Sequence, residues 1–302
     1  MSKIRIHLIL PGGGVRGSFQ GGFLYILMKY FPDCFDFVKI DSASAGALNG
    51  SGLCLKLYDE LNSFWLNFTS INDIFAPYSS IPLIGTLVNA YSSYYNMGLS
   101  TNIKLDKYID TFFKKCDPDK TELDKINIVV TNLNTSRYEY INGTNPNFKS
   151  FLKASASPWI LTCPTIIDGK SYTDGSLLQQ FPIKNIGKVD CDKVLIIGVD
   201  TQYFKHMYSE IGSNLVGYIN KVLDVLYLQC NLENYLKIKE FDHNSDKIYI
   251  AKYDLNFSPL DFSQDNINRG LQHGKTEAVK FLLDNVDLKK YYKVSPHLNV
   301  EY

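Results

Sequence analysis

The sequence is short of net charge, arginine, histidine and long apolar runs. Its 31 basic and 31 acidic side chains cancel to zero, which excludes a protein that holds nucleic acid by bulk positive charge. Only Arg5, Arg16, Arg137 and Arg269 are arginines. No segment supplies the roughly 20 apolar residues that span a bilayer. The opening apolar run, Ile6 to Leu10, is too short for a signal-peptide core. The six cysteines are scattered with no CxxC pair, so they read as reduced thiols of a cytoplasmic protein, neither a disulfide frame nor a zinc site. The five histidines form no cluster with cysteine or carboxylate, and no metal or cofactor is expected. Charge is also missing locally. From Leu61 to Ile103 the only charged side chain is Asp73, where the overall 21% predicts about nine.

What is present is globular. The 302 residues are 45% hydrophobic and 14% aromatic, with 21 Tyr and 18 Phe, ample for a large core. Lys3 to Leu10 suits a buried strand, Ser18 to Tyr30 a helix, Phe35 to Asp41 a second strand and Ala45 to Leu57 a second helix. This alternation predicts parallel strands with helices packed on them. Pro77 and Pro82 interrupt the charge-poor stretch. Ile103 to Lys115 is amphipathic. Ile126 to Leu133 and Arg137 to Ile141 read as a hairpin, and Phe148 to Ser155 as a short helix. Asp168-Gly169 sits between β-prone residues of a second hairpin, Thr165 to Thr173. Lys193 to Val199 is a strand, and Ile211 to Lys239 and Gly270 to Asn285 are helical. No repeat or linker appears, so residues 1–302 are expected to form one domain.

Two turns carry chemistry. Gly12-Gly13-Gly14-Val15-Arg16-Gly17 lies between the first strand and helix. It matches G-x-G-x-x-G, whose free N–H groups hold a pyrophosphate in NAD-binding oxidoreductases, with Asp36 or Asp41 near the expected acidic position. The same N–H groups could instead hold a transient oxyanion. The loop alone does not choose. Ser42-Ala43-Ser44-Ala45-Gly46 follows the second strand and opens a helix, the context of a nucleophile elbow, with Ser42 in place of its first glycine. Ser44 there is a nucleophile or a helix cap. A Ser–Asp–His triad could draw on Asp174 with His206, His243 or His273.

The glycine loop, Ser44-Ala45-Gly46-Ala47 and Asp174-Gly175, taken in order, resemble the patatin-like phospholipases. Met97-Gly98-Leu99, the strand Ile128 to Asn134, Ala154-Ser155-Ala156-Ser157-Pro158 and Tyr172 to Ser176 followed by Pro182-Ile183 extend the likeness over most of residues 4 to 200. Three departures stand out: Ser42 for glycine, Ser176 after Asp174-Gly175, and Gln180 where the family usually has Asn. The resemblance implies a three-layer α/β fold, a mostly parallel central sheet with helices on both faces, with a helical portion over 205–302. It implies a lipid acyl hydrolase of phospholipase A type, using Ser44 as nucleophile and Asp174 as base without histidine. Gly12, Gly13 and Gly14 would form the oxyanion hole, with Arg16 and Gly17 supporting the loop. Asp168 then serves its hairpin turn. The substrate is a phospholipid or another acyl lipid met at a transient membrane surface. Some relatives need a protein activator, which this sequence does not identify. A catalytically silent lipid-binding protein on the same fold is the other class. Acyl chains need an apolar groove, for which the charge-poor stretch offers Phe64, Trp65, Phe68 and Phe75; Phe75 to Tyr95 is expected to form either a lid or membrane-facing wall or ordinary packing over the sheet.

Overall fold

The computed structural model describes residues 2–75, 77, 100–117, 119, 121–159, 161–201, 215–244, 246–257, 259 and 261–286. Strand β1 (Ile4–Leu10) leads through the glycine loop to helix α1 (Gly17–Tyr30). Strand β2 (Phe35–Ala43), helix α2 (Ala45–Cys54) and helix α3 (Tyr58–Leu66) follow. Helix α4 (Ile103–Lys115), strands β3 (Ile126–Asn132) and β4 (Arg137–Asn142) and helix α5 (Phe148–Ser155) come next. Strands β5 (Thr165–Ile167) and β6 (Lys170–Asp174) precede the one-turn helix α6 (Ser176–Gln179). Strand β7 (Lys193–Asp200), helix α7 (Leu215–Asn244), strand β8 (Ile248–Tyr253) and helix α8 (Gln264–Asn285) complete the described elements.

The eight strands form one sheet in the order β5-β6-β3-β2-β1-β7-β8, with β4 also paired to β3. The pairs β1–β2, β1–β7, β2–β3 and β7–β8 are parallel. The hairpins β3–β4 and β5–β6, and the β3–β6 pair, are antiparallel. Asp168 and Gly169, both at positive φ, form the β5–β6 turn, the conformation a two-residue hairpin loop requires.

Strand periodicity divides the interior into two cores. Ile6, Leu8 and Leu10 of β1 and Leu195 and Ile197 of β7 face one core, with Phe19, Phe23, Leu48, Trp65 and Phe281 from α1, α2, α3 and α8. Ile9, Val194 and Ile196 face the other, with Phe181 and with Leu228, Tyr235 and Ile238 of α7. Helices therefore cover both faces of a mixed sheet, and each fully buried large side chain contributes roughly 1.5–3 kcal/mol.

Two expectations change here. The portion after 205 is not wholly helical, because β8 adds a parallel edge strand. Its sequence Ile-Tyr-Ile-Ala-Lys-Tyr is rich in β-branched and aromatic residues, the composition that suits a pleated edge. The first part of the charge-poor stretch is core: Phe64, Trp65, Phe68 and Phe75 are buried. Of the remaining lid residues, 76 and 78–95 lie outside the described residues, as do Met97-Gly98-Leu99. Among the described residues no helix is long and apolar enough to cross a membrane.

Candidate active site

β1 and β2 run side by side and leave the sheet at the same end, Leu10 opposite Ser42. That register sets the glycine loop beside the Ser44 turn. β3 separates β2 from β6, but the levels match: Ala43 lies opposite Val129 and Asp174 opposite Val130. Ser44 and Asp174 therefore meet across β3. The Ser44 hydroxyl donates to Asp174 Oδ2 at 2.6 Å, and both residues are buried.

Ser44 sits at the N-cap of α2 with φ 54° and ψ −125° and makes no side-chain capping bond. Positive φ is costly for a residue with a Cβ. The turn is held by its surroundings. The Ser44 N–H donates to Ser155 Oγ at 3.1 Å, and Ser155 Oγ donates to the Val129 carbonyl at 2.7 Å. Gly46 is obligatory, since a Cβ there would lie 2.2 Å from the Leu10 carbonyl oxygen.

Asp174 is fixed from two sides. Its N–H donates to the Ser157 carbonyl at 3.2 Å, and its Oδ1 accepts from the Ser176 N–H at 2.8 Å. The run Ala154 to Pro158 thus braces both members of the pair, a role its small residues alone did not reveal. Burial pushes the Asp174 carboxyl up to about 6, against hydrogen bonds from Ser44 and Ser176 that pull it down. Among the described residues, no group of three or more His, Cys, Asp or Glu is placed to hold a metal ion.

In the glycine loop, Gly14 has φ +55°, and a Cβ on it would lie 2.1 Å from the Pro259 carbonyl oxygen. The Gly12 N–H donates to the Gln180 carbonyl at 3.0 Å, so it is already engaged. For the N–H groups of Gly13 and Gly14 no backbone acceptor is found among the described residues. The loop is tied to the core through Gln20, whose Nε2 donates to the Pro11 carbonyl at 2.7 Å. Gln20 Oε1 accepts from Asn49, which in turn accepts from the Trp65 indole, each at 2.9 Å.

Arg16 is buried and does not face solvent. Its Nη1 lies 2.9 Å from Asp200 Oδ2, and its Nε and Nη2 donate to the Phe257 carbonyl. Asp200 ends β7, and its only signal in the sequence is that of an acidic residue closing an apolar strand. Removing one partner of a buried ion pair strands the other charge and costs about 3–5 kcal/mol. Arg16→Met is expected to lose that much in denaturant unfolding, and Arg16→Met with Asp200→Asn to lose clearly less. A loss below about 1 kcal/mol in the single variant would mean that Arg16 does not support the loop.

The rival readings of these turns meet specific obstacles. Asp41 is fully buried, accepting from Asn127 and Asn185 and lying 2.9 Å from His7 Nε2, so it is not open to a ribose hydroxyl. Asp36 lies opposite Arg5 near the far end of β1 from the glycine loop and pairs with Lys125. Of the proposed triad histidines, His273 lies on α8 and packs its ring edge-to-face with Phe19 of α1. His206 and the side chain of His243 lie outside the described residues. The direct contact between Ser44 and Asp174 leaves no imidazole between them.

The family model for patatin-like phospholipases matches residues 8–185. The crystal structure of VipD from Legionella pneumophila superposes with a TM-score of 0.50 at 13% identity, covering 94% of this chain and 67% of that one. At that identity the likeness is one of fold. No curated protein matches the chain. With the match extending over more than half the chain, from β1 to just beyond α6, this protein belongs to the patatin-like phospholipase family, the lipid acyl hydrolases.

Proposed function

We propose that the protein hydrolyses fatty acyl esters of phospholipids, in the manner of a phospholipase A, through an acyl-enzyme on Ser44. The observation that carries this reading is the 2.6 Å bond from a strained, buried serine to Asp174. Asp174, ionised at neutral pH with its carboxyl near 6, accepts the Ser44 proton as the hydroxyl oxygen attacks the ester carbonyl. That proton then passes to the departing alcohol, the lysolipid. Water cleaves the acyl-enzyme with Asp174 again as base. A carboxyl near 6 is a better base than one at its ordinary 3.8, which suits a dyad that lacks histidine.

The oxyanion of each tetrahedral intermediate falls to the N–H groups of Gly13 and Gly14, each such donor being worth roughly 2.7–4 kcal/mol. Gly12, with its N–H already engaged, contributes close approach. Arg16 and Gly17 hold the loop, and the chemistry asks for no metal or cofactor. Zero net charge gives no bulk attraction to anionic membranes, so apolar contact brings the enzyme to its transient membrane surface. The same dyad would serve a neutral acyl lipid.

The test is product analysis on a panel of purified lipids. Free fatty acid and lysophospholipid are expected from the wild type and not from Ser44→Ala. Fatty acid release by neither protein, together with failure of a fluorophosphonate probe to label Ser44, would leave the catalytically silent lipid-binding role.

A further inference from the structure

Helix α7 lies beyond the residues that the family match covers, yet it reaches the site. Asn231, fully buried on that helix, accepts from the Gln180 N–H at 2.6 Å and donates from Nδ2 to the Ser176 carbonyl at 3.2 Å. Its amide spans α6 from Ser176 to Gln180, one end accepting and the other donating. One turn further along α7, Asn234 donates to Gln179 Oε1 at 3.0 Å.

Gln180 in turn holds the glycine loop from both sides of one residue. Its carbonyl accepts the Gly12 N–H at 3.0 Å, and its Nε2 donates to the Gly12 carbonyl at 3.1 Å. On the other side of α6, the Ser176 N–H reaches Asp174. An unbroken buried path therefore runs from Gly12 through Gln180, Asn231 and Ser176 to the carboxylate that meets Ser44. Two loops far apart in sequence share one clasp.

We propose that Asn231 and Gln180 are positioning residues that set the spacing between the oxyanion loop and the Asp174 turn, making α7 part of the active-site frame. The proposal rests on the serine–aspartate reading above for its kinetic consequence. The residue types fit the task. Aspartate at 231 would set a carboxylate oxygen against the Ser176 carbonyl, and leucine would satisfy neither partner. Gln180 adds a methylene relative to the asparagine usual at its position.

A misplacement of about 1 Å between reacting groups costs on the order of 100-fold in rate. In Asn231→Leu and in Gln180→Met, kcat per folded molecule is expected to fall about 10- to 100-fold with KM little changed, since the clasp touches no substrate. The double variant is expected to lose little more than the worse single one, because both act through one linkage. Amide exchange at Gly12, measured by NMR, is expected to quicken at least about tenfold in both variants, with Leu8 and Ile9 in β1 unaffected. Losses confined to melting temperature, with kcat and Gly12 exchange unchanged, would overturn the clasp. If Asn231→Leu does not fold, Gln180→Met decides alone. Ser44→Ala runs alongside: turnover persisting there refutes the serine mechanism, while Gly12 exchange still decides the clasp.

Discussion

Ser44→Ala is expected to lower acyl-ester turnover by a factor on the order of 10⁴–10⁶, the range in which loss of a serine nucleophile falls in other hydrolases. What remains is whatever the glycine-loop donors and substrate binding supply without a nucleophile. The substitution keeps the Cβ and so keeps the backbone strain of φ 54°. Ser44→Gly is equally inactive but removes the Cβ that makes this conformation costly. Such strain is worth about 1–3 kcal/mol, offset by up to about 1 kcal/mol from glycine's greater freedom in the unfolded chain. Ser44→Gly should therefore unfold about 1 kcal/mol later than Ser44→Ala. Denaturant melts of the two inactive proteins check this. A glycine variant no more stable than the alanine one would show that the turn stores no strain, and near-wild-type turnover in either would end the nucleophile assignment.

Asp174→Asn is expected to lose activity on a similar scale and to gain stability at neutral pH. The carboxyl binds its proton more tightly in the folded chain, near 6, than at the ordinary 3.8. Folding therefore takes up a proton between those two values, so stability falls as pH rises through that window and stays lowered above it. Asparagine cannot ionise and escapes the penalty. At pH 7–8 the variant should be more stable than wild type by up to roughly 3 kcal/mol, and the advantage should vanish below about pH 4. Wild-type kcat/KM should fall tenfold per pH unit below about 6. A pH–rate profile flat down to about pH 4, or a variant less stable at pH 8 than wild type, would remove Asp174 as the buried base.

The two effects share a cause. Sheet register brings a hydroxyl and a carboxylate together where water is excluded, and that exclusion both raises the basicity of Asp174 and makes its charge costly. The stability gained by Asp174→Asn measures what the fold gives up to hold an ionised base there.

Local order was legible in the sequence because it rests on short-range physics. The alternating and then apolar run of β1, the continuous apolar run of β7, the amphipathic pattern of α4 and the Asp168-Gly169 turn follow from neighbouring residues and take the shapes those residues predict. Asp168 and Asp174 are six residues apart, each before a glycine, and hairpin chemistry separates the turn residue from the one beyond the strand. The strand β8 carries little sequence signal, because its edge position leaves only partial alternation. Ser44 was ambiguous between cap and nucleophile, since both roles place a serine at a helix start.

The ordered turns at Gly12–Gly17, Ser44–Gly46 and Asp174–Gly175 are written in residue types alone, each demanded by local backbone geometry. What those turns meet depends on contacts between residues far apart in the chain. Register across β3 brought Ser44 to Asp174, and the exit of β1 beside β2 brought the glycine loop alongside. Packing assigned Arg16 to Asp200, placed Phe64, Trp65 and Phe68 in the core, and drew Asn231 of α7 against α6. Missing charge between Leu61 and Ile103 marks aversion to water, and such aversion is satisfied equally by a core and by a lipid surface. Only the placement of neighbouring chain distinguishes them.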